Sequence, residues 1–231
     1  MTLLRITNLV KHLGSAECSF TLRVPVFQLE AASELVLVGE SGSGKTTLFH
    51  LIAGIITADE GSIEIDGTDI VRLNEAQRDR FRAAHLGLIY QTFNLLQGFT
   101  ALENVLVAAT FGADSRTGSG HPSSALKRRA TELLSRLGLG NVLHQKPHEL
   151  SVGQQQRVAV ARALLCKPKL ILADEPTANV DAANAARVIE EIRALARDEG
   201  AALIVISHDE AVRAMFPRSQ AMDSLLGNAP V

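Results

Sequence analysis

The chain has 231 residues, 46% of them apolar and 21% charged, a balance that supports a packed core and excludes a disordered segment. Lys and Arg number 23 against 25 Asp and Glu, a formal net charge of −2. With no basic excess to neutralise a phosphate backbone, non-specific nucleic-acid binding is excluded as a first reading.

In chain order, the first element is a strand in which Phe20, Leu22, Val24 and Val26 alternate with Thr21, Arg23 and Pro25. The period of two predicts a half-buried strand, and Pro25, which has no N–H, places it at a sheet edge. Leu35 to Val38 is apolar on both faces, as a central parallel strand is. A Gly-rich run follows, then a helical stretch ending near Gly54. Ile63-Glu64-Ile65 alternates again and ends in an Asp66-Gly67 turn. Leu86 to Tyr90 reads as a further strand, after which residues 83–165 carry little strand signal and predict a helical insertion, with Gly112 to Ser124 as an exposed loop. Inside it, Leu126, Ala130, Leu133, Leu134 and Leu137 share one helix face ending at Gly138. Leu170 to Ala173 and Leu203 to Ile206 read as two more central strands, separated by a helix through Val188, Ile189, Ile192, Leu195 and Ala196 that stops before Gly200. The fold class is α/β, with an antiparallel N-terminal sheet and a helical subdomain inserted mid-chain.

Cys18 and Cys166 are far apart and in no metal-ligand spacing, so neither a disulfide scaffold nor a zinc module is expected. Met1 to Arg5 lacks an apolar core, so no signal peptide is expected, and the longest apolar run, Ala201 to Ile206, is far short of the roughly 20 residues that span a bilayer. A membrane role is expected only through a partner.

Gly39-Glu40-Ser41-Gly42-Ser43-Gly44-Lys45-Thr46 fits G-x-x-x-x-G-K-[ST] between a strand and a helix. Glycines let the backbone curl so that successive N–H groups converge on a triphosphate, and the next helix, which also carries Thr47, presents its N-terminus to the anion. Lys45 then supplies a point charge to the β- and γ-phosphates and the Thr46 hydroxyl a ligand for Mg²⁺. Leu170 to Ala173 leads into Asp174-Glu175-Pro176. An acid at the end of a parallel strand beside the P-loop strand suits a metal role for Asp174, and Glu175 can orient and deprotonate an attacking water; an N-cap acid pair is the structural alternative. Ser151-Val152-Gly153-Gln154 opens a helix with an S-x-x-Q capping box, whose N-terminus is equally an anion receptor.

With Leu150-Ser151-Val152-Gly153-Gln154 added to the P-loop and the Asp-Glu strand end, the chain resembles the ATP-binding subunits of ABC transporters. The likeness runs from about Leu3 to about Leu226. Ile89 to Leu96, Ala101 to Val105 and Ala173 to Asp181 are most similar to the lipoprotein-release and macrolide-export branch. The resemblance implies a single domain, with residues 1–90 and 166–231 forming a P-loop NTPase core with a β-subdomain and 91–165 the helical subdomain and signature helix. It implies that Ser151, Gly153 and Gln154 contact an ATP held by a second copy, or a close homologue, packed head to tail. Gln91 would sense Mg²⁺ and the γ-phosphate, Asp181 would cross the dimer interface, and His208 would contact the γ-phosphate. It further implies an integral membrane permease as partner, a peripheral place on the cytoplasmic face of the inner membrane, and export or extraction of a substrate. A cell-division-type ATPase that signals through a membrane partner carries the same site and stays open. A DNA-acting ATPase of this type would need long heptad arms or a zinc insertion, which the sequence lacks. Phe93, Leu95 and Leu96 are expected either to line the permease groove or to form subdomain core. Two departures stand out. Val152 replaces the first signature glycine, which suits a helical or extended φ and strains a positive one. Where the family stacks an aromatic on adenine, near residues 12–13, the chain has His12-Leu13, from which loose base selectivity is expected.

Overall fold

The computed structural model describes residues 1–15, 18–110, 122–178, 180 and 182–226. Strands β1 (Thr2–Ser15) and β2 (Cys18–Glu30) form a long antiparallel hairpin. With β4 (Glu60–Ile65) and β5 (Thr68–Asp69) they make a four-stranded sheet ordered β2-β1-β4-β5. The Pro25 strand is at its edge, as its missing N–H requires. The second sheet is parallel and ordered β6-β7-β8-β3-β9, from β3 (Glu34–Val38), β6 (Leu86–Ile89), β7 (Leu170–Asp174), β8 (Ala202–Ile206) and β9 (Ser219–Ala221).

The helices are α1 (Lys45–Ile52), α2 (Glu75–His85), α3 (Ala101–Thr110), α4 (Ser124–Arg136), α5 (Val152–Leu164), α6 (Ala182–Asp198), α7 (Glu210–Ala214) and α8 (Met222–Leu225). Period-two alternation in the parallel sheet divides the core in two. Leu35, Leu37, Leu170, Leu172, Ile204 and Ile206 face α1 and the antiparallel sheet, whereas Val36, Ile171, Ala173, Leu203 and Val205 face α3 to α6. Because both faces are covered, the interiors of β3, β7 and β8 carry apolar residues on both faces. Gly138 and Gly200, at φ 74° and 65°, stop α4 and α6 in the left-handed conformation glycine favours.

Three readings need correction. β7 is not beside β3; β8 lies between them, hydrogen-bonded to both. Val26 does not continue the buried face of β2. Asn8, opposite Pro25, has φ 50°, and burial changes phase there, so Val26 is 59% exposed while Phe27 and Leu29 are buried. The loop predicted over Gly112 to Ser124 lies mostly outside the described residues, and its end belongs to α4, where the Ser123 side chain accepts from Leu126 N. Helix α2 has no buried residue, hence no apolar stripe to announce it; an Asn74–Gln77 capping box starts it.

Candidate nucleotide cleft

The register of the parallel sheet sets the site. Leu37 and Asp174 both pair with Ile206, so the ends of β3, β7 and β8 finish level. That edge is where open α/β sheets place ligands. Two strand spacings, roughly 10 Å, separate β7 from β3. The Thr46 hydroxyl still comes close enough to Asp174 to favour its charged form, because α1 packs against β7.

A cleft of about 960 Å³ opens at this edge. Gly39, Glu40, Ser41, Gly42, Gly44, Lys45, Thr46, Thr47, Gln91, Asp174, Glu175 and His208 all line it. Ser43 sits beneath, its Oγ 2.8 Å from where a Cβ on Gly39 would fall. Gly42 and Gly44 adopt φ 82° and 93°, so the loop turns back without strain. Gly44 caps α1 with no side-chain bond, leaving the helix's first N–H groups directed at the cleft. The buried Lys45 Nζ donates to Gly39 O and Glu40 O, both at 2.6 Å.

Asp174 is 9% exposed, and its Oδ1 is buried without a hydrogen-bond partner. Burial raises its carboxyl above the ordinary carboxylate range, against the pull of the Thr46 hydroxyl, while the neighbouring Glu175 charge pushes it further up. A buried carboxylate with an orphaned oxygen beside a threonine hydroxyl is the oxygen donor set a hard divalent cation takes. Glu175 has φ 46°, unusual for a residue with a side chain, and its Oε1 accepts a hydrogen bond from His208 Nδ1 at 2.7 Å.

The signature segment is elsewhere. Ser151 caps α5, its Oγ accepting from Gln154 N at 3.3 Å while Gln154 Oε1 accepts from Ser151 N at 2.8 Å. Val152 is the first residue of that helix, with no positive φ, so it fits without strain. Ser151, Val152 and Gly153 are exposed, and none of 151–154 lines the cleft. Asp181 lies outside the described residues.

Sequence reasoning missed Phe20. It faces the cleft from β2, its ring 3.2 Å from a Cβ built on Gly44. His12 and Leu13 do not line the cleft; the His12 ring hydrogen-bonds Thr21 instead. The residue that points at the cleft depends on the β1–β2 register, in which Leu13 pairs with Phe20. Asp209 and Glu210 also line the cleft and were missed. Phe93 and Leu95 are buried core, the second of the two expectations for them; Leu96 and Phe99, in the same segment, are exposed at 45% and 43%.

A glycine-rich loop between β3 and α1, with an acid at the end of a second parallel strand, defines a nucleotide-binding P-loop protein. Residues 22–178 match the ABC transporter family model. A lipoprotein-releasing system ATP-binding protein, LolD, from Shewanella frigidimarina is 40% identical over 95% of this chain and 90% of its own length. The ABC transporter ATP-binding protein YtrE of Bacillus subtilis is 43% identical over 76% of this chain and 73% of its own. The dimeric cassette MJ0796 superposes with a TM-score of 0.83 at 30% identity, over 95% of this chain and 94% of that one. The same cassette in a post-hydrolysis dimer with ADP and Pi gives 0.80. The chain belongs to the ABC transporter family as an ATP-binding, ATP-hydrolysing subunit.

Proposed function

We propose that this chain works as one half of a head-to-tail dimer, with a second copy or a close homologue, that closes on two ATP molecules and opens after hydrolysis. The observation that carries this is a division of labour within one chain. The cleft gathers the P-loop, Asp174, Glu175, Gln91 and His208, whereas the Ser151 end of α5, an exposed helix N-terminus, turns away from it. Such a terminus serves a triphosphate only if the anion is brought by another chain.

In this reading residues 39–47 cradle the phosphates, Lys45 leaves the loop carbonyls for the β- and γ-phosphates, and Phe20 packs on the base. Thr46 and Asp174, with Gln91, would hold Mg²⁺, which would neutralise charge on the phosphates. Glu175 takes a proton from the attacking water, its carboxylate oriented by His208, which lies beside the γ-phosphate. Ser151, Gly153 and Gln154 close on the partner's γ-phosphate. Loss of that phosphate removes the shared ligand, and the halves part.

The remaining partner is an integral membrane permease, met through the exposed Leu96 and Phe99. No helix among the described residues is long and apolar enough to cross a membrane. In this reading it is the permease that holds the chain, peripherally, on the cytoplasmic face of the inner membrane. The likeness to LolD, the ATP-binding protein of a lipoprotein-releasing system, supports release or extraction of a lipoprotein as the transport task. Glu175→Gln should bind ATP normally, hydrolyse about 10²-fold more slowly, and accumulate as an ATP-bound dimer. Light scattering that finds only monomer in that variant, at saturating ATP and Mg²⁺ with the permease supplied, overturns the reading.

A further inference from the structure

The helix α5 makes two polar contacts that its packing does not require. Gln156 is 1% exposed, and its Nε2 donates to Pro176 O, while its Oε1 is buried with no partner. Were packing its only task, an apolar side chain of the same volume would do better, because a buried acceptor left without a donor is destabilising. Arg162, two turns further on, opens its guanidinium fork onto two successive carbonyls. Nη2 donates to Phe93 O and Nη1 to Asn94 O, both at 2.6 Å.

Both contacts end on strained backbone beside a residue of the cleft. Pro176 follows Glu175, whose φ is 46°, in a turn closed by Ala178 N donating to Glu175 O at 3.2 Å. Phe93 and Asn94 are consecutive left-handed residues, φ 57° and 48°, with neither a glycine. Phe93 N donates to Tyr90 O at 3.1 Å, closing a turn that contains Gln91. Left-handed residues with side chains persist only where the surroundings over-determine them, and at both turns α5 supplies a direct constraint on the carbonyls.

We infer that Gln156 and Arg162 are positioning residues for hydrolysis: one helix holds, with one side chain each, the turn that presents Glu175 and the turn that presents Gln91. The inference rests on the roles proposed for those two residues. It adds that the helix whose N-terminus faces the partner's nucleotide is also the frame of this chain's own site. The planar guanidinium fork is what Arg162 contributes; lysine, whose donors radiate from one nitrogen on a flexible stem, fixes the two carbonyls less rigidly relative to each other.

The experiment is a set of double-mutant cycles on the full chain under single-turnover conditions. Gln156→Met and Arg162→Lys should each lower the hydrolysis rate about tenfold, with ATP affinity changed less than about twofold. Gln156→Met should be silent when added to Glu175→Gln but multiply with Gln91→Ala. Arg162→Lys should show the reverse. If either variant fails to fold, Gln156→Asn, one methylene short of Pro176, or Arg162→Gln takes its place. Unchanged rates, or equal falls in both backgrounds, overturn the inference. Full turnover by Glu175→Gln alone would instead overturn the functional reading, which separates the two failures.

Discussion

Asp174 carries an electrostatic cost in the cleft. The carboxyl is buried, has one oxygen without a partner, and titrates above its ordinary value chiefly because burial disfavours its charge. In the unfolded chain the group would titrate at about 3.9. Between that value and the raised one the folded protein binds more protons than the unfolded one, so stability falls as pH rises through the window, and the loss is complete above it. A cation at the orphaned oxygen relieves the penalty. Asp174→Asn should therefore raise the nucleotide-free melting temperature at pH 7 by about 2–4 °C, what about 1 kcal/mol produces in a chain of this size. The difference should shrink as pH falls through that window, and the variant should lose the extra stabilisation that Mg²⁺ adds to ATP. Melting curves across pH, with and without Mg²⁺, check all three; an Asn variant less stable than the wild type at pH 7 refutes the sign.

At the scale of elements, the start of α3 is organised by Asn104, which is fully buried. Its Oδ1 accepts from Leu96 N at 2.7 Å, and its Nδ2 lies 3.0–3.1 Å from the carbonyls of Leu96, Phe99 and Thr100. A Thr100–Glu103 capping pair completes the helix start. One amide thus fixes residues 96–100, which hold Leu96 and Phe99 outward. Asn104→Ala should destabilise the protein by about 2–3 kcal/mol, since several backbone groups lose their partner at once. Thermal melting measures that loss, and limited proteolysis should cut first within 96–100, with ATP affinity unchanged. The Asn was visible in the sequence, but nothing local shows what it holds. Local signals did reveal the central strands, apolar on both faces, and the P-loop, where Gly42 and Gly44 take positive φ and Gly39 has no room for a Cβ. Properties that depend on distant pairing were not legible. The insertion of β8 between β7 and β3 leaves no mark, because a strand buried on both faces reads alike whatever its neighbours. Phe20 was hidden because only the hairpin register turns it to the cleft.

For the whole molecule, the geometry makes a claim about chain number that two inactive variants can test together. Lys45→Ala empties the cradle but leaves the signature end intact. Gly153→Asp does the opposite. A Cβ at Gly153 meets no atom within 4 Å and its φ is not positive, so the fold accommodates the change. An aspartate in the first turn even suits the helix dipole while repelling a facing phosphate. In a head-to-tail dimer each site combines the cradle of one chain with the signature of the other. Each variant alone then has two dead sites, whereas a mixed dimer has one site with both parts intact. At equal concentrations half of the dimers are mixed, so the blend should recover about a quarter of wild-type ATPase from two components with almost none, provided the two sites turn over independently. Recovery should follow the heterodimer fraction as the mixing ratio is varied. A blend that stays inactive while light scattering shows mixed dimers would mean that the Ser151 end of α5 does not complete the partner's site.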